Sequence, residues 1–223
     1  MNEIHETIRE IKTRFRLFMN GVASQSMREH GLDYKLNFGV EYPRIKEVAA
    51  MYAPNHELAQ TLWKENIREC KILAGLLQPV ESFYPEIAEI WIEDMRYPEI
   101  AEYTVMNLFQ KLPYAFDVVF KWIADDRVYF RMCGFLLIAR LFAQKKKLNE
   151  RSEDEFIDQA FAALQDDNFF IQRAASVALR KYAVLSKENS RKINRQLDGL
   201  RKSERLNVKR LVEEIKNDIE YSF

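Results

Sequence analysis

The sequence predicts an all-α chain, antiparallel helix pairs stacked in a curved row, on three observations. Residues that make sharp turns are scarce: 6 Gly and 6 Pro among 223 are about 5% of the chain, against roughly 12% in average proteins, and no proline follows Pro113. Apolar residues recur at helical period almost everywhere, while strand-like alternation is almost absent. Finally, three stretches share a form: an acidic turn, a basic residue, then small and aliphatic residues at helical spacing. They are ENIRECKILAGLL, DDRVYFRMCGFLLIARL and DDNFFIQRAASVALR. With Lys71, Arg131 and Arg173 in register they lie about 60 and 42 residues apart. The shorter spacing matches a HEAT-like helix pair of roughly 40–47 residues, and the longer leaves room for a degenerate repeat around 98–124. The expectation is a HEAT-like helical-repeat solenoid in which each pair buries an apolar face against the next. It forms one domain over 1–223, with N-terminal helices and a connector (1–42), helical repeats (43–184) and basic C-terminal helices (185–223).

The elements follow in order. Ile4, Ile8, Ile11, Phe15 and Phe18 make the stripe of a first helix that Asn20-Gly21 ends, and Gly31 ends a short second one. YKLNFGVEYP is the main non-helical piece, a connector closed by Pro43. Beyond it the pattern predicts helices over 43–53, 56–77 (broken near Asn66), 84–95, 98–111, 113–124, 128–143, 153–165, 168–184, 187–201 and 204–220. Pro54, Pro79, Pro85, Pro98 and Pro113 fall at or next to helix starts, where a missing amide hydrogen costs nothing. Ser152 with Glu155 reads as a capping box. Connectors of two to eight residues make successive helices antiparallel.

Composition excludes several classes. Cys70 and Cys133 are too few for a disulfide scaffold and read as core residues of a reducing compartment. His5, His30 and His56 have no cysteine or carboxylate at ligand spacing, so no metal is expected. No phosphate loop or nucleophile–base constellation points to a cofactor. The N-terminal MNEIHETIREIKTRF is charged and amphipathic, unlike a signal peptide, and no run approaches the ~18 apolar residues of a membrane span. A cytoplasmic protein without membrane contact is expected. Lysine and arginine (34) balance aspartate and glutamate (34), which excludes a uniformly basic nucleic-acid binder and leaves a local patch open.

Such a patch is visible in the pattern. In VYFRMCGFLLIARLF the charges are Arg131 and Arg140, about 180° apart on the helix. An arginine in so apolar a helix needs a carboxylate, a carbonyl or a phosphate, and an acid of the neighbouring helix meets that need as well as a nucleic acid does. In the next repeat Arg173 and Arg180 fall within about 20° of each other, with Ser176 and Val177 between them on the same face. Two arginines flanking a small neutral patch suit a phosphate backbone crossing the helix. Arg191, Lys192, Arg195, Arg201, Lys202, Arg205, Lys209 and Arg210 make the C-terminal quarter basic, whereas 80–126 is acidic. Trp63, Trp91 and Trp122 sit on apolar faces and read as core.

Five phrases, in order over roughly residues 20–184, carry a resemblance. They are NGVASQSMREHGLDYKLNFGVEYPRIKEVA, LWKENIRECKILAGLL, MNLFQKLPYAF, FRMCGFLLIARL and DDNFFIQRAASVALRKYA. Together they resemble the AlkD-type DNA alkylation-repair family of HEAT-like repeat DNA glycosylases and their relatives. The resemblance implies a C-shaped stack that holds duplex DNA on its concave surface. Active members release alkylated purines: a carboxylate and aromatic faces stabilise the cationic sugar that develops as the base leaves.

This sequence departs from the active pattern. The family's Trp-Asp pair and the catalytic Asp three residues on fall in PEIAEYTVMNLF, with Pro98 at the tryptophan, Glu99 at the first acid and Glu102 at the catalytic one. A register one residue later puts Glu99, Ile100 and Tyr103 there. The family's active-site arginine falls at Met132, and a groove-lining tryptophan at Val177. The resemblance with these replacements implies a DNA-binding protein that grips bent, branched or alkylated duplexes, its glycosylase activity weak or lost. Lys71, Arg131, Arg173, Arg180 and Lys181 are the expected phosphate contacts. An active glycosylase using Glu102 or Glu99 is the alternative, and a protein-binding scaffold is another. Tyr34 and Lys35 either touch DNA or pack the first turn of the stack.

Overall fold

The computed structural model describes residues 2–201 and 203–222. Among these the protein is all-α, and its one extended pairing is an isolated parallel bridge between Leu36 and Ile67. Packing divides the chain into two compact units, Met1–Pro113 and Tyr114–Phe223. None of the described helices is long and apolar enough to cross a membrane.

The first unit holds α1 (Asn2–Leu17), α2 (Gly21–Glu29), α3 (Tyr42–Ala49), α4 (His56–Lys64), α5 (Arg68–Leu77), α6 (Pro85–Glu93) and α7 (Pro98–Asn107). Helix α1 buries Ile8, Ile11 and Phe15 along the predicted stripe. It stops at Leu17, before Asn20-Gly21. Asn20 instead caps the next helix, its side-chain oxygen accepting from the Ala23 amide at 3.0 Å, and Gly21 is that helix's first residue. An asparagine satisfies an otherwise unpaired first-turn amide, and that decides the boundary. The break near Asn66 is real and has a cause: the Asn66 carbonyl accepts from the Leu36 amide at 3.3 Å, so extended backbone separates α4 from α5. In the connector, Gly39 adopts φ +67, and a Cβ there would lie 2.3 Å from the Asn20 carbonyl, so glycine alone fits. Helix α5 packs on α3, α4 and α7.

The second unit holds α8 (Ala115–Ile123), α9 (Val128–Ala143), α10 (Glu150–Ala163), α11 (Phe169–Ala183), α12 (Lys187–Leu200) and α13 (Leu206–Glu220). Helix α11 packs between α9 and α13; α8 lies against α9, and α10 and α12 against α11. As its composition predicts, α9 is buried on most sides. Gly134 lets it approach α8, since a Cβ there would come within 2.7 Å of the Ile123 backbone nitrogen. Helix α10 begins three residues earlier than the capping box predicts: Asn149 is the cap, accepting from the Ser152 amide at 2.9 Å, so Ser152 lies inside the first turn. Asparagine and serine cap about equally well, and the upstream residue won.

Candidate nucleic-acid interface

In the first unit the candidate carboxylates sit in the first half of α7. Glu99 is engaged: Arg68 Nε donates to both its oxygens at 3.0 Å, and the Tyr34 hydroxyl donates to Oε1 at 3.1 Å. Arg68 is buried at the start of α5, where its Nη1 donates to the Val40 carbonyl at 3.0 Å and to Glu69 Oε1 at 3.4 Å. Fully buried Glu69 accepts from the backbone amides of Phe38 at 3.2 Å and Val40 at 3.1 Å. Burial works against the charge on Arg68, yet Glu99 and Glu69 raise its pKa above the ordinary value. Burial, then the Glu99 charge, pushes the Tyr34 hydroxyl up. Tyr34 also packs on Tyr97, ring centroids 4.5 Å apart, so it belongs to the packing that ties the connector down, while Lys35 is exposed. Glu102, one turn along α7, is exposed and makes no hydrogen bond or ion pair with any described residue. Pro98 is the first residue of α7.

Two of the three cations in register are held by the protein itself. Lys71 Nζ donates to Asp94 Oδ2 at 2.5 Å and to the Trp63 carbonyl at 2.8 Å, and it lies 4.6 Å from the Trp63 ring centroid. Trp63 in turn stacks on Trp91 at 4.0 Å; these rings and Trp122 are buried core residues. Arg131 Nη1 donates to Asp166 Oδ2 at 2.5 Å. In both cases the cation is on the second helix of one pair, and the acid ends the first helix of the next: Asp94 caps α6, and Asp166 lies in the turn after α10. Arg173, third in the register, is exposed and has no such partner among the described residues.

The echoed acidic turns have a backbone role. Asp125 Oδ1 accepts from the Arg127 amide at 2.8 Å, and Asp166 Oδ1 from the Asn168 amide at 2.7 Å, each closing a turn two residues ahead. The hydrogen bonds from the Arg127 side chain, then that from its amide, outweigh burial and push Asp125 down to about 2. A carboxyl that titrates below its ordinary 3.8 when folded contributes stability that is complete above about pH 4 and is lost as pH falls through 2. The gap in urea midpoint between the wild type and Asp125→Asn is expected to be widest above pH 4 and to close towards pH 2. A gap independent of pH would refute the pairing.

In the second unit α11 and α13 enclose a groove of about 660 Å³. One wall carries Arg173, Ser176, Val177 and Arg180, which are brought together as their helical stripe predicts; the other carries Leu206, Asn207 and Arg210. Arg180 Nε donates to Asp218 at 2.5 Å and Arg210 Nε to Glu214 at 3.1 Å, both partly exposed pairs that an anion can compete for. Lys181 is exposed beside the groove and forms no part of its wall. Met132 on α9 is buried at 3% exposure.

Much of the basic C-terminal quarter is also paired within the protein. Lys192 bonds Asp154 at 2.7 Å, Arg205 bonds Asp167 at 2.6 Å, and Arg201 lies 3.9 Å from Asp198; Lys202 lies outside the described residues. Sequence reasoning missed Arg68 and Glu69 as a buried pair, and it missed Asp94 and Asp166 as partners of the register cations. The signal for the last two was present, an aspartate at the end of the helix that follows each cation-bearing helix.

A family model described as DNA alkylation repair enzyme matches residues 11–206. Among solved structures, a member of "a new family of proteins related to the HEAT-like repeat DNA glycosylases with affinity for branched DNA structures" superimposes with a TM-score of 0.81, covering 96% of this chain and 94% of that one at 15% identity. At that identity the likeness shows the fold, a HEAT-like repeat. Cex1p gives a TM-score of 0.46 at 14% identity, over 80% of this chain and 39% of the other. No curated protein matches the sequence.

Proposed function

The chain belongs to the DNA alkylation repair enzyme family, and from that premise we propose that it grips distorted or damaged duplex DNA on a concave basic surface, with its glycosylase activity weak or lost. The observation that carries the binding half is Arg173, an exposed guanidinium without a protein partner among the described residues, set in the α11–α13 groove. Arg180 and Lys181 extend the same contact. Lys71 and Arg131 are held by Asp94 and Asp166, and each would reach a phosphate only by giving up that partner. The affinity of the similar solved protein for branched DNA supports branched duplexes as the distorted form preferred. A DNA partner and two buried free cysteines fit a reducing, cytoplasmic setting.

The loss of excision rests on what stands where chemistry would be done. Glu99 is already engaged, by Arg68 at both oxygens and by the Tyr34 hydroxyl at Oε1, so it is not free to turn to a cationic sugar. Pro98 and Val177 offer no aromatic face, and Met132 no charge. Glu102 retains an exposed carboxylate, but no tryptophan stands at the family's aromatic positions, Pro98 and Val177.

The test pairs a binding assay with a chemical one. A four-way junction and a linear duplex of equal length are titrated at two salt concentrations, and release of methylated purines from alkylated duplex is followed in parallel. The junction is expected to bind more tightly, both affinities to fall with salt as counterions are released, and no base to appear above background. Turnover abolished by Glu102→Gln would overturn the loss of activity, and absence of binding at low salt would overturn the DNA reading.

A further inference from the structure

We infer that the groove between α11 and α13 receives one unpaired nucleotide of the bound DNA, its base inside and its phosphate at Arg173. This inference rests on the DNA reading and narrows it to a substrate class: duplexes that carry an unpaired base, at a bulge or a branch point.

The groove has the size and the wall chemistry for that occupant. Its volume of about 660 Å³ lies within the usual range of small-molecule sites. Apolar surface is held out in water at its walls: Phe169, the first residue of α11, is 58% exposed, and Leu206, the first of α13, is 81% exposed. A flat base covers such surface by stacking, whatever its identity.

One polar group then meets the base edge, Asn207, and it is oriented from behind. Gln172 Nε2 donates to the carbonyls of Asp166 at 2.6 Å and Leu164 at 3.3 Å, which leaves Gln172 Oε1 to accept from Asn207 Nδ2 at 2.9 Å. That arrangement presents Asn207 Oδ1 as an acceptor, matched to the exocyclic amine of a base. A Watson–Crick pair has already used that edge, so the chemistry selects an unpaired base. Arg173 supplies the cation for the accompanying phosphate. Val177 leaves the room: an indole at this position would fill the groove from the α11 side.

The probe is a duplex bearing 2-aminopurine as a single-nucleotide bulge, compared with the same duplex fully paired. The bulged duplex is expected to bind about tenfold more tightly, the size of effect a stacked base produces, and 2-aminopurine emission to change on binding. Val177→Trp is expected to abolish both the preference and the emission change. Should that variant fail to fold by circular dichroism, Asn207→Ala, at an exposed position, is expected to weaken both. Paired and bulged duplexes bound equally well would overturn this inference while leaving the DNA reading intact; neither bound would overturn both. A preference that survives Val177→Trp in a folded protein would also overturn it.

Discussion

Glu69→Ala is expected to destabilise the protein by about 3–5 kcal/mol, the cost typical of breaking a buried, hydrogen-bonded charge pair. The substitution leaves two buried amides, those of Phe38 and Val40, without an acceptor. It also leaves Arg68, itself buried, with one carboxylate in place of two. The connector over 30–41 is the segment these bonds hold, so it should become the first site of proteolysis. Glu69→Gln keeps an acceptor oxygen and the side-chain shape, and is expected to cost clearly less. Urea denaturation of the three proteins checks the order. A Glu69→Ala midpoint equal to that of the wild type would mean that the buried carboxylate does not anchor the connector.

The second large effect falls on DNA. Every phosphate that a side chain ceases to neutralise lowers the slope of log affinity against log salt by about 0.9 for B-form duplex, so the Arg173→Ala, Arg180→Ala double variant is expected to lower it by about 1.8 and to weaken binding to every sequence alike. Arg131→Ala is the contrasting case. Its guanidinium is 2.5 Å from Asp166, whose carboxyl is held below the ordinary range: burial opposes the charge, but the Asn168 amide and Arg131 outweigh it. Removing Arg131 is expected to lower stability and to leave the salt slope unchanged. The reverse pattern, a slope changed by Arg131→Ala and not by the double variant, would place the interface on α9 and take it from α11.

Arg131 and Arg173, two arginines of the same register, show where sequence reasoning reached and where it stopped. The helices were legible because each needs only its own apolar period. The stripe of Arg173, Ser176, Val177 and Arg180 was legible because it belongs to one helix, and the groove presents it as predicted. Boundaries went wrong where two nearby residues competed for one role, Asn149 against Ser152 as a cap, and Asn20 as the start of a helix rather than the end of one.

By itself, then, the sequence determined an all-α repeat and the register of its cations. Tertiary structure decided which charges are available. Lys71 and Arg131 are matched by acids 23 and 35 residues away, Glu99 by an arginine 31 residues away, and Arg173 by none among the described residues. Helical period is a property of neighbours within a turn or two. The pairing of a charge depends on what another helix brings within a few ångströms, and only the packed repeats set that distance.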